Sequence, residues 1–346
     1  MASSRLHATR SLAIACAAFA LAALLAVPAR ATWPGREGPV VYAGVFPGTT
    51  LKPYLTRPAG LRRFTPGAAG SPVQLTTDTT DRNPQVSPDG HLVVFSRGIE
   101  APEERERSAI FVSAIDGSGL RQLTDGGSPE GADTQPTFTA SGRGVVFVRG
   151  GAGPYASGDL YSIGLDGSGL TLLTSGPAAD RMPAASPTGR QIVFVRSFQR
   201  PDGIEFGPHI YSMRPDGSRL RDLTPRLGRD PWDPDVSPSG KVIAFATEGN
   251  NLRGDIFTLR AGGGPIRRFT NRVTHDRRHH DEPRFPRPYG YTNPAFSPAG
   301  DSILAVARSG TSPRLARIRL ADPDHPHLLG SSFLGSAPAW APEPRR

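Results

Sequence analysis

The sequence predicts an all-β protein, a six-bladed β-propeller built from four-stranded antiparallel blades. A segment with one fixed order of motifs occurs five times, and the prolines that begin the copies are 52, 47, 51 and 60 residues apart. The 36 prolines and 40 glycines interrupt any long helix. Apolar residues occur in short runs between turn residues, which is typical of strands, and nowhere with the spacing of an amphipathic helix.

The first copy, repeat 1, extends from Asn83 to Thr124. It contains a Pro-x-x-Ser-Pro-x-Gly segment, an apolar run ending in Phe, a second apolar run, an Asp-Gly turn and a closing Leu-Thr. The other copies are repeat 2 (136–174), repeat 3 (183–224), repeat 4 (234–270) and, more loosely, repeat 5 (294–329). A period of this length indicates a repeat architecture whose units stack on one another.

Each motif has a physical role in a four-stranded unit with strands A to D. In the Ser-Pro-Asp-Gly segment at 87–90, the proline presets φ and the glycine accepts the positive φ that closes a hairpin. The Asp116-Gly117 pair predicts a second tight turn. Runs such as 192–195 are apolar on both faces, as expected for strands between neighbouring sheets. Four short strands bury too little surface alone, so radial stacking into a propeller is expected.

The two ends of the chain predict a composite blade that closes the ring. Residues 337–342 match one more strand A, and residues 39–43 match a strand B that lacks its own strand A. Five full repeats and this blade give the count of six. The fourth strand of the composite blade stays open at this point, because 62–65 and 74–76 both match the fourth strand of a repeat.

Residues 1–31 have the pattern of a secretory signal peptide. The apolar run from Leu12 to Val27 has 16 residues, fewer than the roughly 20 of a bilayer span, although a retained anchor is the alternative. Cleavage is expected after Ala31, which leaves 32–346 as a single propeller domain in the periplasm or outside the cell. The only cysteine, Cys16, lies in the removed segment, so we expect neither disulfides nor cysteine–metal sites.

The charge argues against nucleic-acid binding. Removal of 1–31, which contain three arginines and no acidic residue, lowers the formal net charge from +9 to +6. The basic residues form no long block, and an exported protein rarely meets nucleic acid. We expect a monomer without a cofactor and without a membrane span after cleavage.

The motif order resembles the TolB-like, WD40-like (PD40) propeller repeat over about residues 39–345. The resemblance implies the propeller fold and is weak for function. In this family the propeller occurs in a periplasmic Tol-system protein that binds protein partners, as an accessory domain of prolyl-oligopeptidase-type peptidases, and in solitary proteins. The chain departs from the first group because its repeats begin almost at the cleavage site, with no room for an N-terminal α/β domain. It departs from the second because it has no hydrolase domain.

Topology gathers the candidate binding residues at one end of the propeller. If the A–B and C–D turns are tight, the longer B–C and D–A connections share the opposite end, and functional residues favour such loops. An aspartate precedes strand A in successive repeats: Asp81, Asp133, Asp180, and then Asp230 or Asp233. These carboxylates either accept backbone N–H bonds that join neighbouring blades, or form an acidic rim that attracts a cation or a basic peptide.

A second candidate is the loop that contains Arg278, His279 and His280 and continues to Phe285, Tyr289 and Tyr291. Its histidines and carboxylates are possible zinc or manganese ligands, but their spacing matches no closed metal motif. A solvated loop is the simpler interpretation, and Arg and aromatic residues suit a contact with a partner. Trp232 extends the same surface or plugs the packing between blades.

These observations favour an exported, non-enzymatic scaffold that binds a protein or peptide of the cell envelope at the long-loop face and channel mouth. No nucleophile elbow, His-Glu-x-x-His, Walker A or dinucleotide motif occurs. Scattered channel residues leave no linear motif, however. A metal-assisted polysaccharide lyase or hydrolase and a carbohydrate- or cell-wall-binding module are therefore the alternatives.

Overall fold

The computed structural model describes residues 33–46, 57–66, 72–99, 107–126, 131–150, 158–199, 205–247, 254–270, 290–309, 312–329 and 335–344. Within these ranges the chain forms 24 strands and no helix, which confirms the all-β prediction. In the same ranges there is accordingly no helix of the length and hydropathy needed to traverse a bilayer. The predicted signal peptide lies outside them.

The five repeats have the same strand order A to D. Repeat 1 contains β4 (Arg82–Val86), β5 (Leu92–Ile99), β6 (Arg107–Ala114) and β7 (Arg121–Gln122). Repeat 2 contains β8 (Ala132–Phe138), β9 (Gly144–Gly150), β10 (Gly158–Gly164) and β11 (Thr171–Leu172). Repeat 3 contains β12 (Ala178–Ala185), β13 (Ile192–Gln199), β14 (Glu205–Met213) and β15 (Arg221–Asp222). Repeat 4 contains β16 (Pro231–Val236), β17 (Val242–Thr247), β18 (Asp255–Arg260) and β19 (Arg267–Arg268). Repeat 5 contains β20 (Gly290–Phe296), β21 (Ser302–Ser309), β22 (Ser312–Arg319) and β23 (Asp322–Leu329).

The two ends of the chain share a terminal sheet with the order β24-β1-β2-β3. It contains β24 (Gly335–Pro342), β1 (Glu37–Phe46), β2 (Arg57–Phe64) and β3 (Val73–Gln74), and β24 pairs antiparallel with β1. Residues 62–64 belong to the third strand, and 73–74 form the fourth. The structure thus resolves the register that the sequence left open.

The sequence predicted six separate four-stranded blades, but the strands of the described residues are grouped differently. The structure has four four-stranded sheets and one sheet of eight strands, which combines repeats 2 and 3. The two repeats are joined by one pair, between Gly158 of β10 and Asp180 of β12. Sequence patterns describe strands within a repeat, and they carry no information on such a bridge between repeats.

The hydrophobic core lies between sheets. The second strands are buried on both faces, and Val93, Val94 and Phe95 are all 0% exposed. One core cluster combines Val195 of repeat 3 with Phe245 of repeat 4. This confirms the prediction that the uniformly apolar runs are sandwiched between neighbours.

The closing Leu-Thr motif joins the fourth strand to the third. The threonine Oγ1 accepts a hydrogen bond from a backbone N–H of the third strand, at 2.8–3.0 Å in repeats 1 to 4 and in the terminal sheet. The threonines are Thr76, Thr124, Thr174, Thr224 and Thr270. Because these fourth strands are only two residues long, the side-chain bond replaces a ladder bond that the short strand cannot supply.

Each first strand bulges at the residue before its leading proline. That residue has φ between 52° and 55° in all five repeats, at Asn83, Gln135, Met182, Asp233 and Asn293. The pairing with the second strand shifts register at the same place. The bulge joins neighbouring first strands, because Gln135 Oε1 accepts a hydrogen bond from Met182 N at 2.6 Å and Asn293 Nδ2 donates one to Asp233 Oδ2 at 2.9 Å.

Candidate functional site

The candidate site is the end of the propeller at which the first strands begin and the second strands end, here called the mouth. The opposite end carries the Ser-Pro-x-Gly and Asp-Gly turns and is called the turn end. Neighbouring strands in a repeat are antiparallel, so the B–C and D–A connections leave from the mouth. This arrangement follows the sequence prediction for the long connections.

Three predicted aspartates at the mouth are fully buried and bound to arginines. Asp81, Asp133 and Asp180 are each 0% exposed. Each accepts two hydrogen bonds from one arginine on the second strand of the same repeat. The distances are 2.6 and 2.8 Å for Arg97, 2.7 and 2.8 Å for Arg149, and 2.7 Å twice for Arg196. Two-point contacts of this kind fix both side chains.

Each of these guanidinium groups also lies against two aromatic rings. Arg97 Cζ is 5.3 Å from the ring centroid of Phe95 and 5.0 Å from that of Phe111. The distances are 5.6 and 5.4 Å for Arg149 against Phe147 and Tyr161. They are 5.5 Å for Arg196 against both Phe194 and Tyr211. The rings hold the cation in place and shield the ion pair from water.

The mouth aspartates therefore differ from both interpretations of the sequence. We expected bonds from backbone N–H groups or an open acidic rim, and the structure pairs each buried carboxylate with an arginine. Residue spacing contained this signal, because an arginine follows each aspartate after 16 residues and ends a Phe-x-Arg sequence. Asp81 does contact the preceding sheet, since the Thr76 hydroxyl donates a hydrogen bond to it.

Carboxylates from the D–A connections approach two of the arginines from outside. Asp78 lies 3.4 Å from Arg97, and Asp125 lies 2.8 Å from Arg149. The hydrogen bonds to Asp81, Asp133 and Asp180 raise the pKa of their arginines above the ordinary value. The cations at the mouth are therefore held in the charged state by their own repeats.

Repeat 4 breaks the pattern. Pro231 and Thr247 face each other at the positions of the aspartate and the arginine. Asp233 lies two residues further along, at the bulge, where it is 2% exposed and bound by Asn293. Asp230 is exposed at the mouth. The predicted equivalence of Asp230 or Asp233 with the first three aspartates is wrong, because Asp230 and Asp233 lie four and one residues before Pro234, whereas the first three lie three residues before their prolines.

The two predicted aromatic residues in the described part of the mouth differ in exposure. Trp232 is half-buried, and the guanidinium of Arg181 lies 4.9 Å from its ring centroid. Tyr291 is 5% exposed and belongs to a core cluster with Ile256. Burial raises the pKa of Tyr291 to about 12. Of these two residues, Trp232 is therefore the more exposed.

The remaining predicted contacts, Arg278, His279, His280, Phe285 and Tyr289, lie outside the described residues. Across the part of the chain that the structure describes, no three His, Cys, Asp or Glu side chains are grouped closely enough to hold a metal ion.

Three of the first strands carry a buried polar side chain after the bulge. Gln85, Thr137 and Asp235 each occupy the second position after a bulge and are at most 3% exposed, whereas repeats 3 and 5 have Ala184 and Ala295 there. Asp235 Oδ2 accepts a hydrogen bond from Phe296 N on the neighbouring first strand at 2.6 Å. This carboxylate therefore joins neighbouring first strands.

No protein-family profile matches the chain. An uncharacterised protein of Agrobacterium fabrum is 32% identical over 170 residues, which are 47% of this chain and 49% of that protein. The chain thus matches about half the length of this curated relative.

Solved structures resemble the whole fold. TolB from Acinetobacter baumannii has a TM-score of 0.61 at 17% identity, over 88% of this chain and 67% of that chain. A chain of a nidogen/laminin complex has a TM-score of 0.60 at 10% identity, over 88% and 98%. Hydrazine synthase from Kuenenia stuttgartiensis has a TM-score of 0.64 at 15% identity, over 89% and 47%. At these identities the likeness concerns the fold, and the chain has the fold of a TolB-like β-propeller.

Proposed function

We propose that the protein is an exported, non-enzymatic propeller that binds a protein or peptide partner at its mouth. The side chains that the mouth presents carry the proposal, since Asp230 is exposed, Phe198 is 37% exposed and Trp232 is half-buried. Trp232 is suited to anchor a partner, because tryptophan is enriched among the residues that dominate binding energy.

The proposal includes a closed ring of six blades, in which the eight-stranded sheet counts as two. Successive contacts between first strands support it: β4 with β8, β8 with β12, β12 with β16, β16 with β20, β20 with β24, and β24 with β4. A single bridge between β10 and β12 is a weaker connection than the continuous ladders within each repeat. A closed ring has one axis, and a partner can enter it from either end.

The position of Trp33 supports the proposal that the ring is open to a partner at the mouth. This side chain is 1% exposed, and its Nε1 donates a hydrogen bond to Val86 O, the last residue of β4, at 2.8 Å. It shares a core cluster with Phe138 and Ala185, which end β8 and β12. Trp33 thus packs where three first strands meet the turn end. It follows the expected cleavage site by two residues, which also fits removal of the leader before folding.

Among the similar folds, the nidogen/laminin structure is a complex between proteins. This supports the use of such a propeller as a binding scaffold without identifying a partner for this chain.

Site-specific photo-crosslinking in intact cells tests the proposal. A benzoylphenylalanine at Asp230, which is exposed at the mouth, should give one dominant protein adduct that Trp232→Ala weakens. The same group at Leu170, which is 47% exposed at the turn end, is the matched control and should not give that adduct. No adduct at Asp230, or the same adduct at both positions, would contradict the proposal. Turnover of an envelope peptide or polysaccharide by the purified protein would contradict the non-enzymatic part.

A further inference from the structure

The turn end is strongly basic on one side. The turns of repeats 3 and 4 (186–192, 213–222, 237–242 and 259–268) contain eight basic and two acidic residues. All eight basic residues are exposed, namely Arg190, Arg214, Arg219, Arg221, Lys241, Arg260, Arg267 and Arg268. The corresponding turns of repeats 1 and 2 (87–92, 114–122, 139–144 and 164–172) contain two basic and three acidic residues. The charge therefore belongs to one sector of the turn end rather than to the fold.

The C–D turns show that Arg214 is not needed to close its turn. In repeats 1, 2 and 3 the turn closes with the same two backbone hydrogen bonds. One residue takes part in both bonds, through its N–H and its carbonyl, and this residue is Ala114 in repeat 1, Gly164 in repeat 2 and Arg214 in repeat 3. Alanine or glycine therefore suffices where repeat 3 has an arginine.

The backbone conformation of Arg219 is unfavourable for a residue with a side chain. Its φ is 58°, and the equivalent residues are Gly119 with φ 63° and Gly169 with φ 67°. Glycine adopts this region without penalty, whereas an arginine there is strained. A Cβ built on Gly119 or Gly169 has no neighbour within 4 Å, so a side chain at this turn tip projects into open space. A strained, exposed arginine at such a position points to a role outside the fold.

The basic turns form one continuous surface with exposed leucines. A Cβ built on Gly217 would lie 2.6 Å from Leu173 O, so the repeat 3 turn lies against the end of β11. Arg221 Nη1 donates a hydrogen bond to Gly262 O at 2.8 Å, which joins the same turn to repeat 4. Leu220 is 46% exposed between Arg219 and Arg221, and Leu172 is 47% exposed on β11.

We propose that this surface, defined by Arg190, Arg214, Arg219, Leu220 and Lys241, binds an anionic lipid bilayer. Basic side chains near a negatively charged bilayer are attracted to its headgroups, and apolar side chains among them enter the interface. An exposed leucine occurs at this turn position in repeats 1 to 3, at Leu120, Leu170 and Leu220, and only Leu220 is flanked by two arginines. A soluble acidic polymer would satisfy the charges, whereas a bilayer accepts both the charges and the leucine. The mouth would then face away from the membrane. The inference is independent of the proposed partner, because it uses the opposite end of the molecule.

Vesicle co-sedimentation of the mature protein tests this. The protein should bind vesicles of phosphatidylglycerol and phosphatidylcholine more tightly than vesicles of phosphatidylcholine alone, and added salt should weaken binding. The variant Arg190→Gln/Arg214→Gln/Arg219→Gly/Lys241→Gln should lose roughly a thousandfold in affinity. Its fold should persist, since Arg219→Gly restores the residue of repeats 1 and 2, and circular dichroism checks this.

Position-matched variants provide the controls. Arg143→Gln removes the cation of repeat 2 that corresponds to Arg190, and Leu120→Ser changes the leucine of repeat 1 that corresponds to Leu220. Both should bind vesicles like the parent protein, whereas Leu220→Ser should bind several-fold more weakly. Equal binding to both vesicle types, no loss in the fourfold variant, or binding to dextran sulfate but not to vesicles would each overturn the proposal.

Discussion

Two sets of aspartates occur in the same three repeats and have opposite environments. At the mouth, Asp81, Asp133 and Asp180 are 0% exposed, and each is bound by an arginine. At the turn end, the aspartates of the Asp-Gly turns are exposed and accept hydrogen bonds from a serine two residues on; they are Asp116, Asp166 and Asp216. Both sets recur with equal regularity, so regularity alone does not tell how much a carboxylate matters.

The difference lies in what the loss of a partner leaves behind. A buried carboxylate that loses its cation is shielded from water and has no opposite charge in place of that hydration. This costs far more free energy than the intact pair contributes to stability. An exposed carboxylate without its serine regains water. Repeat 4 is a natural comparison, because it retains the aromatic pair, Phe245 and Phe257 with centroids 5.9 Å apart, while Pro231 and Thr247 replace the ion pair.

The largest effect is expected from breaking one mouth pair. Arg196→Leu leaves Asp180 buried without its cation and should lower the free energy of unfolding by about 3–5 kcal/mol. Urea unfolding monitored by circular dichroism measures this. Arg190→Leu, at an exposed turn position of the same repeat, is the control and should change little. A loss below about 1 kcal/mol for Arg196→Leu would mean that water reaches Asp180.

Replacement of both partners should recover part of that loss. Asp180→Ala/Arg196→Thr imitates the uncharged pair of repeat 4 and removes the stranded charge. A double-mutant cycle with the two single variants should give a coupling free energy of about 1–3 kcal/mol. Additive single effects would show that the two charges do not stabilise each other.

Loss of a turn aspartate should have a much smaller effect. Asp166→Ala removes an exposed carboxylate, while the backbone bond from Gly167 N to Gly164 O that closes the turn remains. The urea midpoint at neutral pH should fall far less than it does for Arg196→Leu. A shift as large as that of Arg196→Leu would erase the distinction between the two sets.

The smallest effect is a pKa difference at the turns. The hydroxyl and backbone N–H of Ser168 hold the pKa of Asp166 below its ordinary value of 3.8. A lowered pKa in the folded state contributes stability above pH 3.8, and that stability is lost as pH falls through the lowered value. Carboxyl NMR titration should show that Ser168→Ala raises the pKa of Asp166 and leaves that of Asp116 unchanged. Equal values in the parent and the variant would mean that the serine is not the cause.

The mouth shows how far sequence reasoning reaches. The aspartates were identified, and their arginine partners were accessible through the constant spacing of 16 residues. The bulge before each leading proline was not, because nothing in Asn83, Gln135 or Met182 as residue types requires a positive φ. Asp233 occupies the bulge position of repeat 4, one residue before Pro234, and there Asn293 donates a hydrogen bond to it.

The sequence by itself determined the repeat, the strands and the tight turns, because these depend on the intrinsic conformations of proline and glycine and on local hydrophobic pattern. It also determined that the two ends of the chain share a sheet, since each end supplies strands that the other lacks. Only the tertiary structure decided which recurring aspartates are buried and where the exposed arginines of two repeats join into one surface. Burial and surface charge are set by neighbours that are distant in sequence, and no local pattern contains them.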